Sequence, residues 1–318
     1  MYYSLRCLQN RKLEIKLKMK EVKHIEIRKD MKLNDFLKEL ENSMGGRKIQ
    51  EAIEIYKEMH NDKDCKIFFG LAGAMVPGGM KKIIVDLFDN GYIDVFVTTG
   101  ANLTHDLIES LGQKHYIGTD KINDEELNKK GIDRIYNVFM KNEVYGKLED
   151  FFNKNFDKLK DKKTVKEFLW ELGKLSSKDS ILNTCYRKKI PIFCPALSDS
   201  GIGLMVWNNL MKKKECKVLM FEDLKEILDI AWTSKKTGVV YIGGGVPKNY
   251  IQQAMQFSKG ASYGIQVTMD RIETGGSSGA ELKEGISWGK LDKNARFVDI
   301  RLDATIVLPL LYAGLLEK

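Results

Sequence analysis

Hydrophobic residues between positions 31 and 60 recur at three- and four-residue spacing, and the pair Gly45-Gly46 interrupts the pattern. This periodicity predicts two amphipathic helices. The residues that follow, Cys65 to Leu71, are apolar on both alternating faces. Parallel strands covered by helices on both sides have that composition. We therefore predict an N-terminal helical segment, Met31 to His60, in front of the first strand of a parallel sheet.

Apolar strands and amphipathic helices continue to alternate down to residue 316. Residues 119–188 are charged and helical in pattern, and their apolar stripes are more typical of packing over a sheet than of holding a cofactor. The pattern favours an α/β fold with one doubly wound, Rossmann-like parallel sheet, helices on both faces and a ligand site at the carboxyl edge of the strands. The other predicted strands are Ile93–Val97, Pro191–Cys194, Gly238–Ile242 and Tyr263–Thr268, and the other helices are Met80–Asn90, Phe221–Lys236 and Asp303–Leu316.

The composition is that of a globular protein, with 43% hydrophobic residues in a chain of 318. Its five cysteines are odd in number, scattered and without a C-x-x-C pair, so neither a disulfide framework nor a zinc site is indicated. No apolar run has the length of a membrane-spanning helix or the form of a secretion signal. We expect a soluble, cytoplasmic protein without a metal site and without a membrane partner.

The net charge of +8 is concentrated at the N-terminus, since residues 1–20 carry six basic residues and one acidic residue. The remaining chain is close to neutral, so we expect no nucleic-acid partner. Residues 1–30 are interpreted as a basic extension: a flexible arm, a partner-binding tail or the product of a start assigned before Met19 or Met31. Residues 31–318 are expected to form a single domain.

Small residues follow most of the predicted strands. The stretches 72–79, 98–102 and 243–249 each lead from a strand toward a helix, and helix N-termini in such places offer free N–H groups to phosphate. The spacing is not G-x-G-x-x-G, so tight turns that require glycine are the alternative. Asp199 lies on a similar loop, where it would hold a ribose hydroxyl or an ammonium group, or else cap the next helix.

The stretch Ser287-Trp288-Gly289-Lys290 puts an amine next to an indole, with Glu284 one helical turn earlier. A lysine is a nucleophile only when part of it is neutral, and desolvation against an aromatic face lowers a lysine pKa. The alternative is a solvated surface Lys290 beside a core tryptophan.

Together these pieces resemble the deoxyhypusine synthases, over roughly Met31 to Leu311. The number, order and spacing of the motifs carry the resemblance. The motifs are Gly70-Leu71-Ala72-Gly73-Ala74, Val97-Thr98-Thr99-Gly100, Gly131-Ile132-Asp133-Arg134-Ile135, Pro195-Ala196-Leu197-Ser198-Asp199-Ser200, Gly243-Gly244-Gly245-Val246-Pro247-Lys248, Ser278-Gly279-Ala280, Glu284-Gly285-Ile286-Ser287-Trp288-Gly289-Lys290 and Asp303-Ala304.

The resemblance implies NAD-dependent transfer of the aminobutyl group of spermidine, through an imine on Lys290, to one lysine of the translation initiation factor 5A precursor. It also implies a homotetramer with active sites at dimer interfaces. Glu284 and Trp288 match family residues that contact the polyamine, and Asn249 takes a substrate-binding position. The residues that fall where the family holds NAD are Gly73, Ala74, Thr99, Gly100, Asp199, Gly244, Gly245, Ser278, Asp303 and Ala304.

The chain departs from the eukaryotic pattern at three positions. Asn249 replaces a histidine, and Leu204 and Ser277 replace two polyamine-binding aspartates. The loss removes charge that would pair with ammonium groups, and an asparagine cannot accept a proton as a histidine does. The pattern resembles the archaeal branch and a set of bacterial synthase-like proteins. The N-terminal helical segment Ile25 to Leu40 is more similar to the archaeal branch, which favours deoxyhypusine synthesis. The alternatives are a homospermidine-synthase-like or agmatine-using aminobutyltransferase acting on a free amine, and a nucleotide-binding protein that has lost catalysis.

Overall fold

The computed structural model describes residues 21–317, so the first 20 residues of the predicted basic extension lie outside the described part. Residues 21–30 form no helix or strand and are exposed. From there on, strands and helices alternate. The strands are β1 (Cys65–Leu71), β2 (Val95–Thr98), β3 (His115–Ile117), β4 (Ile132–Ile135), β5 (Val138–Lys141), β6 (Ile192–Phe193), β7 (Lys236–Ile242), β8 (Ala261–Val267) and β9 (Leu291–Ile300).

The helices flank these strands along the whole described chain. They are α1 (Leu33–Glu39), α2 (Met44–Asn61), α3 (Lys81–Asp89), α4 (Gly100–Ser110), α5 (Asp124–Lys129), α6 (Val144–Leu159), α7 (Val165–Leu175), α8 (Ile181–Lys188), α9 (Gly201–Met211), α10 (Phe221–Thr233), α11 (Gly245–Gln256), α12 (Glu284–Ser287) and α13 (Ala304–Leu316).

The N-terminal helical segment begins later than the sequence predicted and is interrupted at a different place. Helix α1 starts at Leu33 instead of Ile25, and a 3₁₀ turn over Leu40–Asn42 separates it from α2. The pair Gly45-Gly46 lies inside the first turn of α2, where the Ser43 hydroxyl accepts a hydrogen bond from the amide of Gly46 at 3.0 Å. A β-carbon on Gly46 would lie 2.5 Å from that hydroxyl oxygen, so the glycine leaves room for the helix cap.

Six strands form the central sheet in the order β6-β2-β1-β7-β8-β9, and every neighbouring pair is parallel. The chain runs outward from β1 in one direction through β2 and β6, and in the other through β7, β8 and β9. The strand order therefore reverses between β1 and β7, and open α/β sheets bind ligands at such a point, beyond the carboxyl ends of the strands.

Successive side chains of each central strand enter two different cores. In β1, Ile67 and Phe69 pack with residues of α2, α3 and α13, whereas Phe68 packs with residues of α10 and α11. Strand side chains alternate between the two faces of a sheet, so helices cover both faces. The predicted α/β fold with a doubly wound parallel sheet is confirmed.

Two parts of the sheet structure were not predicted. Residues 119–188, expected to be helical, contain β4 and β5, which form a three-stranded antiparallel sheet with β3. Strand β9, which forms one edge of the central sheet, was missed because its sequence, LDKNARFVDI, shows neither a continuous apolar run nor a strict alternation of apolar and polar residues. The apolar stripes of α6 and α7 do pack into the core over the central sheet, as expected.

Two predicted boundaries also shift at the start of β7. Helix α10 ends at Thr233, and Lys236 already belongs to β7 instead of ending the helix. Across residues 21–317, none of the helices is both long enough and apolar enough to cross a membrane.

Candidate functional site

The ten residues predicted to bind the cofactor all follow the carboxyl ends of central strands. Each loop therefore contributes to the same edge of the sheet. Gly73 and Ala74 follow β1, Thr99 and Gly100 follow β2, Asp199 follows β6, Gly244 and Gly245 follow β7, Ser278 lies on the loop after β8, and Asp303 and Ala304 follow β9.

The loops after β1 and β7 meet at the point where the strand order reverses. The amide of Ala72 donates a hydrogen bond to the carbonyl of Ile242 at 2.8 Å. Gly244 and Gly245 have φ angles of 75° and 62°, which favour glycine. A β-carbon on Gly244 would lie 2.8 Å from Ser278. This bare backbone precedes the twelve-residue α11, so its first N–H groups are open to an approaching phosphate.

A second close approach joins the loops after β2 and β6. A β-carbon on Gly100 would lie 2.5 Å from the β-carbon of Ser200. The Ser200 hydroxyl caps α9 by accepting a hydrogen bond from the amide of Gly203 at 3.1 Å. The alternative role of Asp199 as the helix cap is therefore wrong, because the next residue has that role. Asp199 itself is exposed on the loop.

A cavity of about 540 Å³ lies between the loop after β1, the small antiparallel sheet and the start of α13. Ala74 and Asp303 line it, together with Tyr116 and Tyr136 of the small sheet. Asp303 also caps α13, because its carboxylate accepts a hydrogen bond from the amide of Thr305 at 2.7 Å. Two of the predicted cofactor residues thus line the same cavity as two tyrosines that were not predicted from the sequence.

A chain of titratable groups stands behind this cavity. Glu109 accepts a hydrogen bond from Nδ1 of His115 at 2.8 Å, and Nε2 of His115 lies 2.9 Å from Nδ1 of His105. Burial lowers the pKa of His105 to about 4, and the neighbouring His115 adds to this effect. Since His115 lies on β3, which was not predicted, no pattern in the sequence connected it with α4.

Lys290 lies in a separate cavity of about 250 Å³. The cavity contains Glu284 and Trp288, as the sequence predicted, and also Asn249. The Lys290 ammonium lies 4.8 Å from the centroid of the Trp288 ring, within range of a cation–π contact. The structure therefore brings the predicted nucleophile and all three predicted substrate-binding residues together.

The position of this cavity differs from the expected one at the carboxyl edge. The Lys290 carbonyl accepts a hydrogen bond from the amide of Ala261, the first residue of β8, so Lys290 lies at the amino end of β8 and β9. The connection between two parallel neighbouring strands must return from the carboxyl end of the sheet to its amino end, and residues 268–290 form this connection. Gly275, Ser277 and Lys290 of this connection line the cavity.

The Lys290 cavity nevertheless adjoins the glycine loop of α11. Asn249 and Ser277 line both the Lys290 cavity and a neighbouring cavity of about 530 Å³, which Gly245 and Ser278 also line. Two of the three departures from the eukaryotic pattern thus stand on the shared wall. The third, Leu204, lies on α9 in a different, apolar cavity of about 490 Å³.

The expected desolvation of Lys290 by Trp288 is not complete in one chain. The Trp288 residue is 56% exposed, so its indole does not exclude water from the amine by itself. Lys290 is partly buried.

A different lysine, Lys248, is buried within the chain, although the sequence indicated it only as part of a glycine-loop motif. It is fully buried at the start of α11. Its ammonium donates hydrogen bonds to the carbonyls of Ser277 and Ala280 at 2.5 and 2.6 Å. Burial lowers the pKa of Lys248 to about 8, and the charge of Lys290 adds to the lowering, while Asp299 and Glu284 oppose it.

A buried polar network continues from Lys248 to the edge strand β9. Gln266 donates hydrogen bonds to the carbonyl of Ala280 and to the carboxylate of Asp299, both at 2.9 Å. Asp299 in turn accepts hydrogen bonds from the amide of Leu282 at 3.2 and 3.3 Å. Burial raises the pKa of Asp299. The network fixes the loop that lines the Lys290 cavity against the sheet.

A second carboxylate in the Lys290 cavity was also missed. Glu281 lines the cavity together with Glu284. The sequence signal existed, since positions 281, 284 and 288 have the spacing of one helical face, but it was read only from Glu284 onward.

Comparison with known proteins gives a consistent result. The family model described as deoxyhypusine synthase matches residues 35–315. The chain is 43% identical over 301 residues to "Probable deoxyhypusine synthase 1" of Methanosarcina acetivorans, covering 92% of this chain and 93% of the relative. It is 42% identical over 281 residues to "Probable deoxyhypusine synthase 2" of Archaeoglobus fulgidus, covering 85% of this chain and 93% of the relative.

A solved structure extends the comparison to the fold. The "Crystal Structure of a putative deoxyhypusine synthase from Entamoeba histolytica" superimposes with a TM-score of 0.64 over 90% of this chain and 93% of that one, at 19% identity. At this identity, the likeness concerns the fold alone.

Proposed function

The chain belongs to the deoxyhypusine synthase family, and from this premise we propose that it transfers the aminobutyl group of spermidine to one lysine of the translation initiation factor 5A precursor, with Lys290 as the covalent nucleophile and NAD as the cofactor. Membership makes the chain a transferase of hypusine biosynthesis. The observation that supports the finer proposal is a pair of adjoining cavities that share Asn249 and Ser277, with Lys290 in one and the glycine loop of α11 in the other.

NAD fits the residues present at the carboxyl edge. Glycines with positive φ leave the backbone free of side chains at Gly73, Gly244 and Gly245, and Asp303 and Asp199 lie on the loops that follow the two edge strands, β9 and β6. These loops would hold the dinucleotide, with Thr99, Gly100, Ser278, Ala74 and Ala304 completing the cradle. When bound, NAD would supply the redox chemistry by taking up a hydride from spermidine and returning it at the end.

Lys290 would carry the aminobutyl group between the two substrates. Its amine attacks the carbon of the oxidised, imine form of spermidine, a new carbon–nitrogen bond forms, and 1,3-diaminopropane leaves. The acceptor lysine then attacks the Lys290 imine and frees the Lys290 amine. Reduction of the resulting imine gives the secondary amine of deoxyhypusine.

Glu284 and Trp288 would bind the polyamine beside Lys290. A carboxylate pairs with an ammonium group, and an indole face attracts a cation while covering methylene groups. Asn249, on the wall between the two cavities, would hydrogen-bond the substrate without taking up a proton.

A second copy of this chain would complete the site. The exposed face of α9 presents Leu204, Trp207, Leu210 and Met211, and apolar side chains at that spacing usually meet a partner surface. We propose a homo-oligomer, a tetramer with its sites at dimer interfaces, in which the partner closes the half-exposed Trp288. In this proposal residues 31–318 form the single NAD-binding domain, residues 1–30 are an appended basic extension, and the enzyme acts in the cytoplasm.

One observation favours a second candidate function. The wall shared by the two cavities carries the neutral side chains of Asn249 and Ser277. A free amine such as putrescine, or agmatine in place of spermidine, would then be processed by the same Lys290 chemistry. This activity would be that of a homospermidine-synthase-like aminobutyltransferase.

Incubation with NAD, spermidine labelled in the aminobutyl group, and either the factor 5A precursor or putrescine distinguishes the two functions. We expect label in the protein and release of 1,3-diaminopropane. Label in small polyamines alone would instead support the free-amine activity. Borohydride added without an acceptor should trap a spermidine-derived adduct on Lys290, and the absence of both transfer and adduct would leave only a nucleotide-binding protein.

Lys290→Arg should abolish the adduct and reduce transfer by at least about 1,000-fold, because an arginine supplies no neutral amine near neutral pH. NAD affinity, measured by calorimetry, should stay within about twofold of the wild type. Lys293→Arg on β9 is the matched control and should keep full transfer. Unchanged turnover in Lys290→Arg would remove the nucleophile assignment.

A further inference from the structure

The cavity around Lys290 contains more negative charge than Glu284 alone supplies. Glu281 and Glu284 both line it, whereas Ser277, which also lines it, is neutral. A linear polyamine carries an ammonium group at each end, and one carboxylate can pair closely with only one of them. A ligand with a single amine would need only one carboxylate, so the second carboxylate suits a ligand with two ammonium groups.

Backbone geometry puts the two carboxylates on one side. The amide of Glu284 donates to the carbonyl of Glu281 at 3.1 Å, and the amide of Trp288 donates to the carbonyl of Gly285 at 3.2 Å. Side chains three and four residues apart in such turns are neighbours. Glu281, Glu284 and Trp288 consequently form one row along the cavity.

The opposite side of the same turn is fixed to the protein. Leu282 is 1% exposed, and its amide is held by the Asp299 carboxylate. The carbonyl of Ala280, one residue before Glu281, accepts hydrogen bonds from both Lys248 and Gln266. The backbone of Glu281 is thus held from both sides, while its side chain stays half-exposed and the residue lines the cavity.

The carboxylate of Glu281 has only a loose partner within the chain. Arg301 approaches it at 3.8 Å, which is longer than a hydrogen bond, and the two side chains are 51% and 38% exposed. Such exposed pairs contribute little to stability. Arg301 also donates to the carbonyl of Asp270 at 2.9 Å, so it keeps a partner if Glu281 turns to a ligand.

We propose that Glu281 is a specificity-determining residue, whose carboxylate binds one ammonium group of the polyamine while Glu284 binds another. The row of Glu281, Glu284 and Trp288 then selects a ligand with at least two separated cations. This inference rests on the proposed function, since it assigns a role in the same cavity. Glu281 takes no part in the transfer of the aminobutyl group and only positions the polyamine beside Lys290.

Glu281→Gln tests the proposal because it keeps the shape of the side chain and removes its charge. We expect the KM for spermidine to rise about tenfold, as for the loss of one charged hydrogen bond, with kcat within about threefold of the wild type. The increase of the KM with salt concentration should become weaker, because one ionic contact is lost. A purely structural role would not change this salt dependence, and Glu281→Asp should restore part of the affinity.

Glu273→Gln is the matched control, since Glu273 is an exposed glutamate on a 3₁₀ turn of the same loop, Ile272–Thr274, outside the residues that line the cavity. It should leave the KM unchanged. Direct calorimetric titration of spermidine into the NAD-loaded wild type tests the proposed function separately from the role of Glu281. If the wild type binds and transfers while Glu281→Gln matches it, the role of Glu281 is wrong and the proposed function stands. If the wild type binds no polyamine, both are overturned.

Discussion

Lys248 shows how a single residue links the glycine loop to the Lys290 cavity. It is adjacent to Asn249 in the sequence, yet its ammonium lies under the loop that carries Ser277 and Ala280. A neutral lysine amine still has two N–H groups, enough for both carbonyls. The buried position therefore tolerates loss of the proton, and the lowered pKa of about 8 follows from burial.

This arrangement predicts a stability difference that depends on pH. In the unfolded chain Lys248 has its ordinary pKa of 10.5, whereas in the folded chain its pKa is about 8. Between these values the unfolded state binds more protons, so the contribution of Lys248 to stability rises with pH. The free energy of unfolding of the wild type, relative to Lys248→Met, should grow by about 1 to 2 kcal/mol between pH 7.5 and 9.5.

Urea denaturation of both proteins at several pH values measures this difference. The buried cysteines and tyrosines have raised pKa values and act in the opposite direction, but both proteins share them. A difference that stays constant across the window would mean that Lys248 keeps its ordinary pKa in the folded chain.

At this scale the sequence predicted the members of the site better than their surroundings. Glu284, Trp288 and Lys290 are close in sequence, and a one-turn helix brings them together as their spacing implied. Lys248 and Glu281 were missed because their roles depend on contacts between α11 and a loop about 30 residues away. The exposure of Trp288 could not be predicted, since an indole is equally at home in a core or at an interface.

Between elements, glycines set how closely the loops at the carboxyl edge approach one another. Gly100 starts α4 and faces Ser200, the cap of α9. The Ser200 hydroxyl donates to the carbonyl of Leu197 at 2.7 Å and accepts from the amide of Gly203, so it is not free to rotate away. The two helix starts are thereby held together at the predicted cofactor site.

Gly100→Ala should separate these two loops. The new β-carbon would lie 2.5 Å from that of Ser200, and such overpacking costs about 1 to 3 kcal/mol of stability. We expect NAD affinity, measured by calorimetry, to fall at least about fivefold. Gly146→Ala is the control, because that site in α6 has open space and alanine favours a helix by roughly 0.5 to 1 kcal/mol. Wild-type affinity and stability in Gly100→Ala would contradict the close packing.

Elements with a clear hydrophobic pattern, either a helical period or a continuous apolar run, were predicted. Elements that mix apolar and charged residues irregularly were not. The buried strands β1 and β7 are continuous apolar runs, which only a covered parallel strand or a buried helix produces. Strands β4 and β5 are short and partly exposed, so their residues showed no such run within a charged region. The Gly45-Gly46 pair was read as a break because glycine disfavours helix interiors, although a first turn tolerates it when a serine caps the helix.

For the molecule as a whole, the pattern along the chain was enough to predict a doubly wound sheet, because strand and helix periods alternate regularly. It was not enough to identify which helix faces remain uncovered. The face of α9 has Leu204, Trp207 and Leu210 at 55, 58 and 44% exposure, next to the loop with Asp199. Neither the composition nor the periodicity distinguishes such a face from one that packs inside the chain.

The proposed oligomer makes this face a condition for activity. Trp207→Glu places a charge where a second copy would pack, and a charge buried without a partner destabilises an interface strongly. We expect the variant to sediment as smaller species than the wild type and to lose at least about 90% of transfer at the same chain concentration, because Trp288 and Lys290 stay open to water. Met44→Glu, at a position that is 91% exposed at the start of α2, is the control and should keep both assembly and transfer.

Sedimentation velocity and transfer assays on the same samples test separately whether the face of α9 is the interface and whether association is needed for transfer. If Trp207→Glu is dissociated yet fully active, the site is complete within one chain and functions while the indole of Trp288 is exposed to solvent. If the variant remains assembled, the face of α9 is not the interface, and the closing surface must come from another part of the molecule. If assembly and transfer are lost together and return together at high protein concentration, the Lys290 cavity is completed only when chains associate. The partner chain would then cover the half-exposed Trp288.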